Sequence, residues 1–159
     1  MDEIVKSGPV ERPRGVCHTK LDEKGRIKLS AELQRYLAAL GETRFFVTTL
    51  EGTIGRIYPI SAWAQQEEFL NNDEDAEHAE RLLFIAHDMG GDSDLDSQGR
   101  VLVPSELRRH LKVESQPVHL QAYRKHIRIY SDEMYQAMRA RAFEKPEDTV
   151  RAFEKKGLQ

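Results

Sequence analysis

The chain contains two copies of one sequence unit, and this duplication constrains its fold more than any other feature. A shift of 74 residues matches Leu-Asp-Glu-Lys-Gly-Arg-Ile at 21–27 to Leu-Asp-Ser-Gln-Gly-Arg-Val at 95–101. Further on, Arg-Ile-Tyr at 56–58 recurs at 128–130. Two copies at so long a period indicate a duplication rather than a repeat array. Each copy holds about 45 residues, close to the size at which an isolated core is marginal, so we predict that the two copies share one core.

Each copy is predicted to form a strand, a tight turn, a strand, a helix, two strands and a helix. Asp-x-x-Gly between two short extended runs is typical of a β-hairpin, with Gly25 and Gly99 adopting a positive φ. Ser30 can cap the helix of the first copy, and Pro104 suits the start of the second. The simplest arrangement is an interleaved pseudo-dimer within one chain, with an approximate two-fold axis relating the two turns.

The segments between and after the turns also have clear patterns. Apolar and polar residues predict two helices in the connector and a helix after the second copy that ends before Pro146. Two pairs of extended runs complete the copies. The predicted helices are 30–40, 61–70, 73–89 and 131–145, and the predicted strand pairs are 45–47 with 54–58 and 118–122 with 127–130.

Charge is segregated along the chain, although the formal net charge is only −3. Residues 12–28 carry six cations and two acids, a net of +4, and residues 98–128 carry seven cations and two acids, a net of +5. Residues 67–96 between them carry eleven acids and one cation, a net of −10. Because the local field steers a polyanion, this pattern permits nucleic-acid binding without establishing it.

The sequence lacks the motifs of common catalytic and metal sites. It has no nucleophile elbow, P-loop, dinucleotide-binding fingerprint or His-Glu-x-x-His motif. The six histidines have no metal-ligand spacing, although His110, His119 and His126 could converge in three dimensions. Cys17 lies in a strand-like run and is interpreted as a small, partly buried apolar residue. We therefore predict no catalytic residues, no metal and no cofactor, and a protein that is not an enzyme.

The apolar segments are too short for a membrane protein. The longest uninterrupted apolar run is residues 82–86, and residues 1–13 lack the apolar core of a secretory signal. These observations favour a cytoplasmic protein without a membrane partner.

The two Gly-Arg turns remain as candidate functional sites, with two interpretations. A turn presenting Lys24 and Arg26 can enter the DNA major groove, where arginine reads guanine and lysine contacts phosphate. Alternatively, Asp22 and Asp96 cap the turns and pair with the arginines, so that the motif serves the fold. The spacing alone leaves both interpretations open.

The two Asp-x-x-Gly-Arg motifs, Arg14-Gly15, the two Arg-Ile-Tyr strand ends and the helical connector together resemble the MraZ family, over about residues 14–141. The resemblance implies an α+β fold with two pseudo-symmetric swapped-hairpin, AbrB-like β-barrel repeats that share one core and carry flanking helices. It divides the chain into an N-terminal extension (1–13), a first repeat (14–60), a helical connector (61–89), a second repeat (90–131) and a C-terminal helical tail (132–159).

The resemblance also implies a function. MraZ proteins are bacterial transcriptional regulators that bind short direct repeats of double-stranded DNA upstream of the operon for division and cell-wall synthesis, and they assemble into rings. This implies a nucleoid-associated homo-oligomer that contacts DNA through Lys24, Gly25 and Arg26, with Arg100 as the counterpart in the second copy. The first copy has Ser30 and Gln34 where the family pattern has Pro and Arg, whereas the second keeps Pro104 and Arg108, a residue that can be structural.

A second functional hypothesis is a protein-interaction module, either antitoxin-like or an assembly scaffold, without specific DNA binding. The acidic connector favours it, as does the C-terminal tail, in which Arg-Ala-Phe-Glu-Lys occurs at 141–145 and again at 151–155.

Overall fold

A computed structural model describes residues 10–159, so residues 1–9 of the predicted N-terminal extension lie outside the described residues. The described residues form eight strands and six helices. The strands are β1 (Cys17–Lys20), β2 (Arg26–Lys28), β3 (Arg44–Thr49), β4 (Gly55–Pro59), β5 (Gly91–Asp94), β6 (Arg100–Leu102), β7 (Pro117–Tyr123) and β8 (His126–Ser131). The helices are α1 (Ala31–Ala39), α2 (Ile60–Asn71), α3 (Ala76–Met89), α4 (Ser105–Leu111), α5 (Asp132–Ala142) and α6 (Pro146–Glu154).

The strands form two antiparallel sheets, which gives the chain the predicted α+β class. The larger sheet has the order β1-β7-β8-β4-β3-β5, and β2 and β6 form a separate two-stranded ribbon. The first strand of each copy pairs with the other copy, since β1 lies beside β7 and β5 lies beside β3. Within residues 10–159 these hydrogen-bonded ladders do not close into a barrel, because β1 and β5 are the edges of the larger sheet.

Two ladders are centred on pairs of equivalent residues from the two copies. In the ribbon, Ile27 lies opposite its counterpart Val101. In the larger sheet, Arg56 on β4 lies opposite its counterpart Arg128 on β8. A residue lies opposite its own counterpart only where an approximate two-fold axis passes between them. The two ladders therefore lie at the two ends of one such axis.

Each Asp-x-x-Gly segment forms the predicted tight turn, but the prediction that the two flanking strands pair with each other as a hairpin is wrong. The turn closes locally, since the Asp22 backbone N–H donates to the Arg26 carbonyl over 3.0 Å. Beyond it the strands separate, with β1 pairing to β7 and β2 to β6. An isolated two-stranded hairpin is marginal in water, whereas pairing across the copies places Ile27 and Val101 in a shared core.

The core is built from both copies, as predicted. Ile27 and Val101 are fully buried, and so are Ile57 and its counterpart Ile129. Strand residues on either side of these positions point to the opposite face, which is the period-two alternation of a β-strand. Cys17 is partly buried against this core, in agreement with its interpretation as a small apolar residue. A smaller cluster, in which Trp63 contacts Phe46 and Tyr58, holds α2 and α3 against the outer face of the larger sheet.

The local signals for helices and strand pairs are confirmed. The Ser30 side chain accepts from the Leu33 backbone N–H over 3.3 Å, so α1 begins where its cap predicts, and Ser131 caps α5 in the same way. Ladders β3–β4 and β7–β8 are the two predicted strand pairs. The residues of α6 are exposed throughout.

No helix within residues 10–159 is both long enough and apolar enough to cross a membrane.

Candidate nucleic-acid interface

The first Gly-Arg turn is organised by the carboxylate of Asp22. Its Oδ1 accepts from the backbone N–H groups of Lys24 and Arg26, each over 2.9 Å, and its Oδ2 accepts from Arg26 Nε over 2.8 Å. Gly25 has a φ of +82°, as the turn requires. The hydrogen bond from the Arg26 backbone is the largest of the effects that lower the pKa of Asp22 below its usual value. The carboxylate therefore stays ionised and fixes the turn.

The second turn has the same geometry. Asp96 Oδ1 accepts from the backbone N–H groups of Gln98 and Arg100, over 2.9 and 2.8 Å, and Oδ2 accepts from Arg100 Nε over 2.9 Å. Gly99 has a φ of +76°. The hydrogen bond from the Arg100 backbone is the main cause that lowers the pKa of Asp96. In both turns the aspartate thus caps the turn and pairs with the arginine, as the second interpretation of the motif predicts.

This pairing orients both arginines without burying them. About a quarter of each side chain is exposed, 28% for Arg26 and 25% for Arg100. Arg100 Nη1 also lies 3.9 Å from Asp22 Oδ2, so the two turns share an ionic contact across the ribbon. A structural role for the arginines is therefore compatible with a contact to a ligand outside the chain.

Each turn is held in place by the other copy. The Gly25 carbonyl accepts from the Val103 N–H, and the Gly99 carbonyl accepts from the Leu29 N–H, each over 2.9 Å. Arg108 Nη1 donates to the Val103 carbonyl over 2.5 Å, and its guanidinium covers Gly25 so closely that a Cβ built there would lie 2.1 Å from Nη1. Arg108 thus positions the first turn.

Gln34, the counterpart of Arg108 in the first copy, covers the second turn. Its Nε2 donates to the Leu29 carbonyl over 2.8 Å, and a Cβ on Gly99 would lie 2.3 Å from its amide. Gln34, where the first copy departs from the family pattern, therefore contacts the turn of the second copy. Arg108, which the second copy keeps, supports the turn of the first copy.

The outer face of the ribbon carries the side chains that a partner would meet. Because Ile27 and Val101 point inward, the residues beside them on each strand, Arg26, Lys28, Arg100 and Leu102, point outward. Lys24 at the tip of the first turn is exposed. Sequence reasoning missed Lys28, although its spacing of two from Arg26 in a strand already placed both residues on one face.

The two ends of the ribbon differ in charge. Residues 20–28 carry four cations and two acids, whereas residues 94–102 carry one cation and two acids. Lys20 and Lys24 of the first copy correspond to Asp94 and Gln98 of the second. An anionic partner is therefore attracted to the first turn and opposed at the second.

The close packing of Arg108 on Gly25 gives a first prediction. Gly25→Ala is expected to destabilise the fold by about 1–2 kcal/mol, because an L-residue is strained at this φ and the new Cβ displaces the guanidinium. The matched control is Gly41→Ala, since Gly41 has a φ of +74° but no other atom within 4 Å of an added Cβ. Urea unfolding of both variants checks this.

The difference between the two variants isolates the contact with Arg108. In an Arg108→Ala background, the cost of Gly25→Ala should fall towards the cost of Gly41→Ala. Equal costs of the two glycine substitutions in the wild-type background would contradict the role assigned to Arg108.

The histidines do not form a metal site within the described residues, where no group of three or more candidate ligands is placed to hold an ion. His119 on β7 and His126 on β8 are buried in separate aromatic surroundings. His110 is exposed.

Comparisons with known proteins agree with the resemblance in the sequence. The family model described as "MraZ protein, putative antitoxin-like" matches residues 92–155. Three similar proteins are each named "Transcriptional regulator MraZ". The protein of Acidobacterium capsulatum is 35% identical over 101 residues, which cover 63% of this chain and 69% of the relative. That of Hydrogenovibrio crunogenus is 31% identical over 131 residues, covering 79% and 84%. That of Geobacter metallireducens is 30% identical over 139 residues, covering 80% and 87%.

The names describe regulators of transcription and not enzymes, in agreement with the prediction that the chain is not an enzyme. Two of these relatives cover about four fifths of the chain. The chain therefore belongs to the MraZ family.

Proposed function

We propose that this protein is a sequence-specific DNA-binding repressor that binds short direct repeats upstream of its own gene, in the operon for division and cell-wall synthesis. The observation that carries the proposal is the outer face of the β2–β6 ribbon, where the exposed cations of the first turn gather around an arginine already oriented by Asp22. The names of the relatives support regulation of transcription.

In this proposal the ribbon enters the major groove, which accommodates a two-stranded β-ribbon. Arg26 reads a guanine edge, while Lys24 and Lys28 contact phosphates and fix the register. Gly25 keeps the tip of the turn narrow, because a Cβ at this position would displace the Arg108 guanidinium. Arg100 makes a weaker second contact, since Asp94 and Asp96 flank it.

We further propose that the two copies are AbrB-type swapped-hairpin repeats, with bounds 14–60 and 90–131, joined by the connector 61–89 and flanked by the extension 1–13 and the tail 132–159. The exchange of first strands between the copies supports this interpretation. In this proposal neither repeat folds alone, because the first strand of each repeat pairs with a strand of the other repeat.

The protein is proposed to act as a nucleoid-associated homo-oligomeric ring. Large apolar side chains remain exposed on the connector helices, with 66% of Phe69 and 71% of Phe84 accessible. Exposed apolar surface of this kind favours contacts between copies. Several ribbons on one ring would engage successive DNA repeats, and multivalency would raise weak single contacts to useful affinity. A solution mass measurement gives the number of copies.

The experiment is a mobility-shift titration with the DNA upstream of the protein's own gene and a scrambled duplex of equal length and composition. The upstream DNA is expected to bind at least tenfold more tightly, and affinity for both duplexes should fall steeply as salt rises. Equal affinity for the two duplexes would remove the specific function. Recovery of one stoichiometric protein partner under the same conditions would favour the interaction module instead.

A further inference from the structure

Two arginines from the two copies lie directly opposite each other on the outer face of the larger sheet. Arg56 on β4 is paired with Arg128 on β8. Residues opposite each other in an antiparallel sheet have Cβ atoms about 4.5–5.5 Å apart, and like charges in such a pair are destabilising. The same row continues with Thr48 on β3 and Gln121 on β7, which carry no charge.

The charges of this arginine pair are only partly compensated. Arg56 Nη2 lies 2.8 Å from Glu51 Oε2, and its Nη1 donates to the Tyr58 hydroxyl over 3.0 Å. The Arg128 guanidinium lies 3.6 Å from the centroid of the Tyr123 ring, which attracts a cation but carries no net charge. Within residues 10–159 no carboxylate lies within salt-bridge distance of Arg128. Two cations thus share one acid.

Three buried nitrogens at this place have no hydrogen-bond partner among the described residues. They are Arg56 Nε, Arg128 Nε and His126 Nε2. His126 is two residues before Arg128 on the same face of β8, and it is only 5% exposed. Native proteins seldom leave buried donors unsatisfied, since each costs about 1–3 kcal/mol. Two of these nitrogens are obligate donors, and the third is a donor in one neutral tautomer.

The surroundings of His126 show that this region is electropositive as well as buried. Burial is the main cause that lowers the pKa of His126 to about 3, and the positive charges of Arg56, Arg128 and Arg124 lower it further. The imidazole is therefore neutral at physiological pH. Because charges interact more strongly in a buried environment than in water, an anion bound beside these cationic donors would stabilise them strongly.

We propose that Arg56, Arg128 and His126 form a binding site for a small free oxyanion of the phosphate or sulfate type. One tetrahedral dianion has enough oxygens to accept from both guanidinium groups and from the imidazole, and its charge offsets the repulsion between the arginines. The Arg56 side chain retains 14% exposure and Arg128 is half-buried, so both arginines reach the surface although the three nitrogens themselves are buried.

This site is separate from the proposed DNA-contacting ribbon. Ile57, Ile127 and Ile129 alternate with the arginines and point into the core that Ile27 and Val101 enter from the ribbon side. The arginine pair therefore projects away from the ribbon, at the other end of the approximate two-fold axis. A bound oxyanion would join the central strands of the two copies and stabilise their association without contacting the turns.

The test is calorimetric titration of the full chain with sodium sulfate and with inorganic phosphate, against sodium chloride at equal ionic strength. One oxyanion is expected to bind per chain, and binding should raise the thermal unfolding midpoint. Arg128→Gln and Arg56→Gln should each weaken oxyanion binding at least tenfold. The matched control is Arg139→Gln, since Arg139 is an exposed arginine of α5 that should leave binding unchanged.

A second measurement does not depend on the variants folding. In nuclear magnetic resonance titrations of the wild type, sulfate should raise the pKa of His126 from about 3, because a nearby anion stabilises the imidazolium. An unchanged pKa, or equal sulfate binding by Arg128→Gln and Arg139→Gln, would overturn the proposal. Displacement of bound phosphate by the scrambled duplex would also overturn it, because the site would then serve the phosphates of nucleic acid.

Discussion

Arg26→Ala is expected to weaken binding to the upstream DNA by about tenfold to a hundredfold, the loss typical of a guanine-reading arginine at about 1–3 kcal/mol. Arg100→Ala is the same substitution at the counterpart position. It should reduce the free energy of binding to the upstream DNA by less than half as much as Arg26→Ala does. Both arginines pair with an aspartate in the same geometry, so their different surroundings decide the outcome. Mobility-shift titrations of both variants check this.

The symmetry of the two turns makes the comparison internally controlled. Each substitution removes one side-chain hydrogen bond to the aspartate of its own turn, and Arg100→Ala also removes the ionic contact with Asp22. A loss of fold stability alone should therefore be at least as large for Arg100→Ala as for Arg26→Ala. Urea unfolding measured beside the DNA titration separates the two effects. Similar losses of DNA affinity in both variants, in proportion to their unfolding free energies, would show that the arginines serve the fold alone.

Arg26→Lys sharpens the same experiment. Lysine keeps the positive charge but lacks the planar fork that reads guanine in a bidentate manner. Affinity for the scrambled duplex should therefore remain close to that of the wild type, whereas the preference for the upstream DNA should fall. A retained preference would assign Arg26 to phosphate contact rather than base reading.

The local part of the candidate site could be predicted from the sequence. Asp-x-x-Gly-Arg specifies the positive φ of the glycine, the capping aspartate and the nearby arginine within six residues, and the structure has all three in both copies. Alternation along β2 also puts Lys28 on the same face as Arg26, although sequence reasoning missed Lys28 as a site residue. What the sequence did not reveal was the support of each turn by Arg108 or Gln34, because those contacts cross from one copy to the other.

The same division applies to the fold. Caps such as Ser30 and Ser131 specify helix starts through hydrogen bonds within three residues, so α1 and α5 begin where the sequence predicts. The pairing of β2 with β6 depends on contacts over more than seventy residues and leaves no local signal. The hairpin prediction was wrong for this reason, since it assigned to neighbouring strands a pairing that only the shared core decides.

The unequal charge of the two turns has a consequence for the duplicated architecture. Duplication places both turns on one ribbon, but Asp94 and Gln98 replace the lysines that the first copy has at 20 and 24. Meanwhile the second copy supplies Arg108, which holds the first turn in place. The two copies have therefore diverged, the first into the turn with more cations and the second into a helix that supports that turn.

Ile27→Ala is expected to destabilise the whole chain by about 2–5 kcal/mol, the usual cost of truncating a buried isoleucine to alanine. Ile27 is fully buried at the centre of the ribbon, opposite Val101. A two-stranded ribbon is marginal on its own, so its attachment to the body depends on these inward side chains. Urea unfolding followed by circular dichroism measures the loss.

Leu102→Ala is the matched control for this prediction, since Leu102 belongs to the same ribbon but is 45% exposed on its outer face. Its unfolding free energy should change by only about 0.5 kcal/mol. Because β1 pairs with β7 and β5 with β3, neither copy has a complete sheet alone, and Ile27→Ala should lower the midpoint of a single transition. Two separate transitions, with the second copy unaffected, would show that the copies fold independently and that the core is not shared.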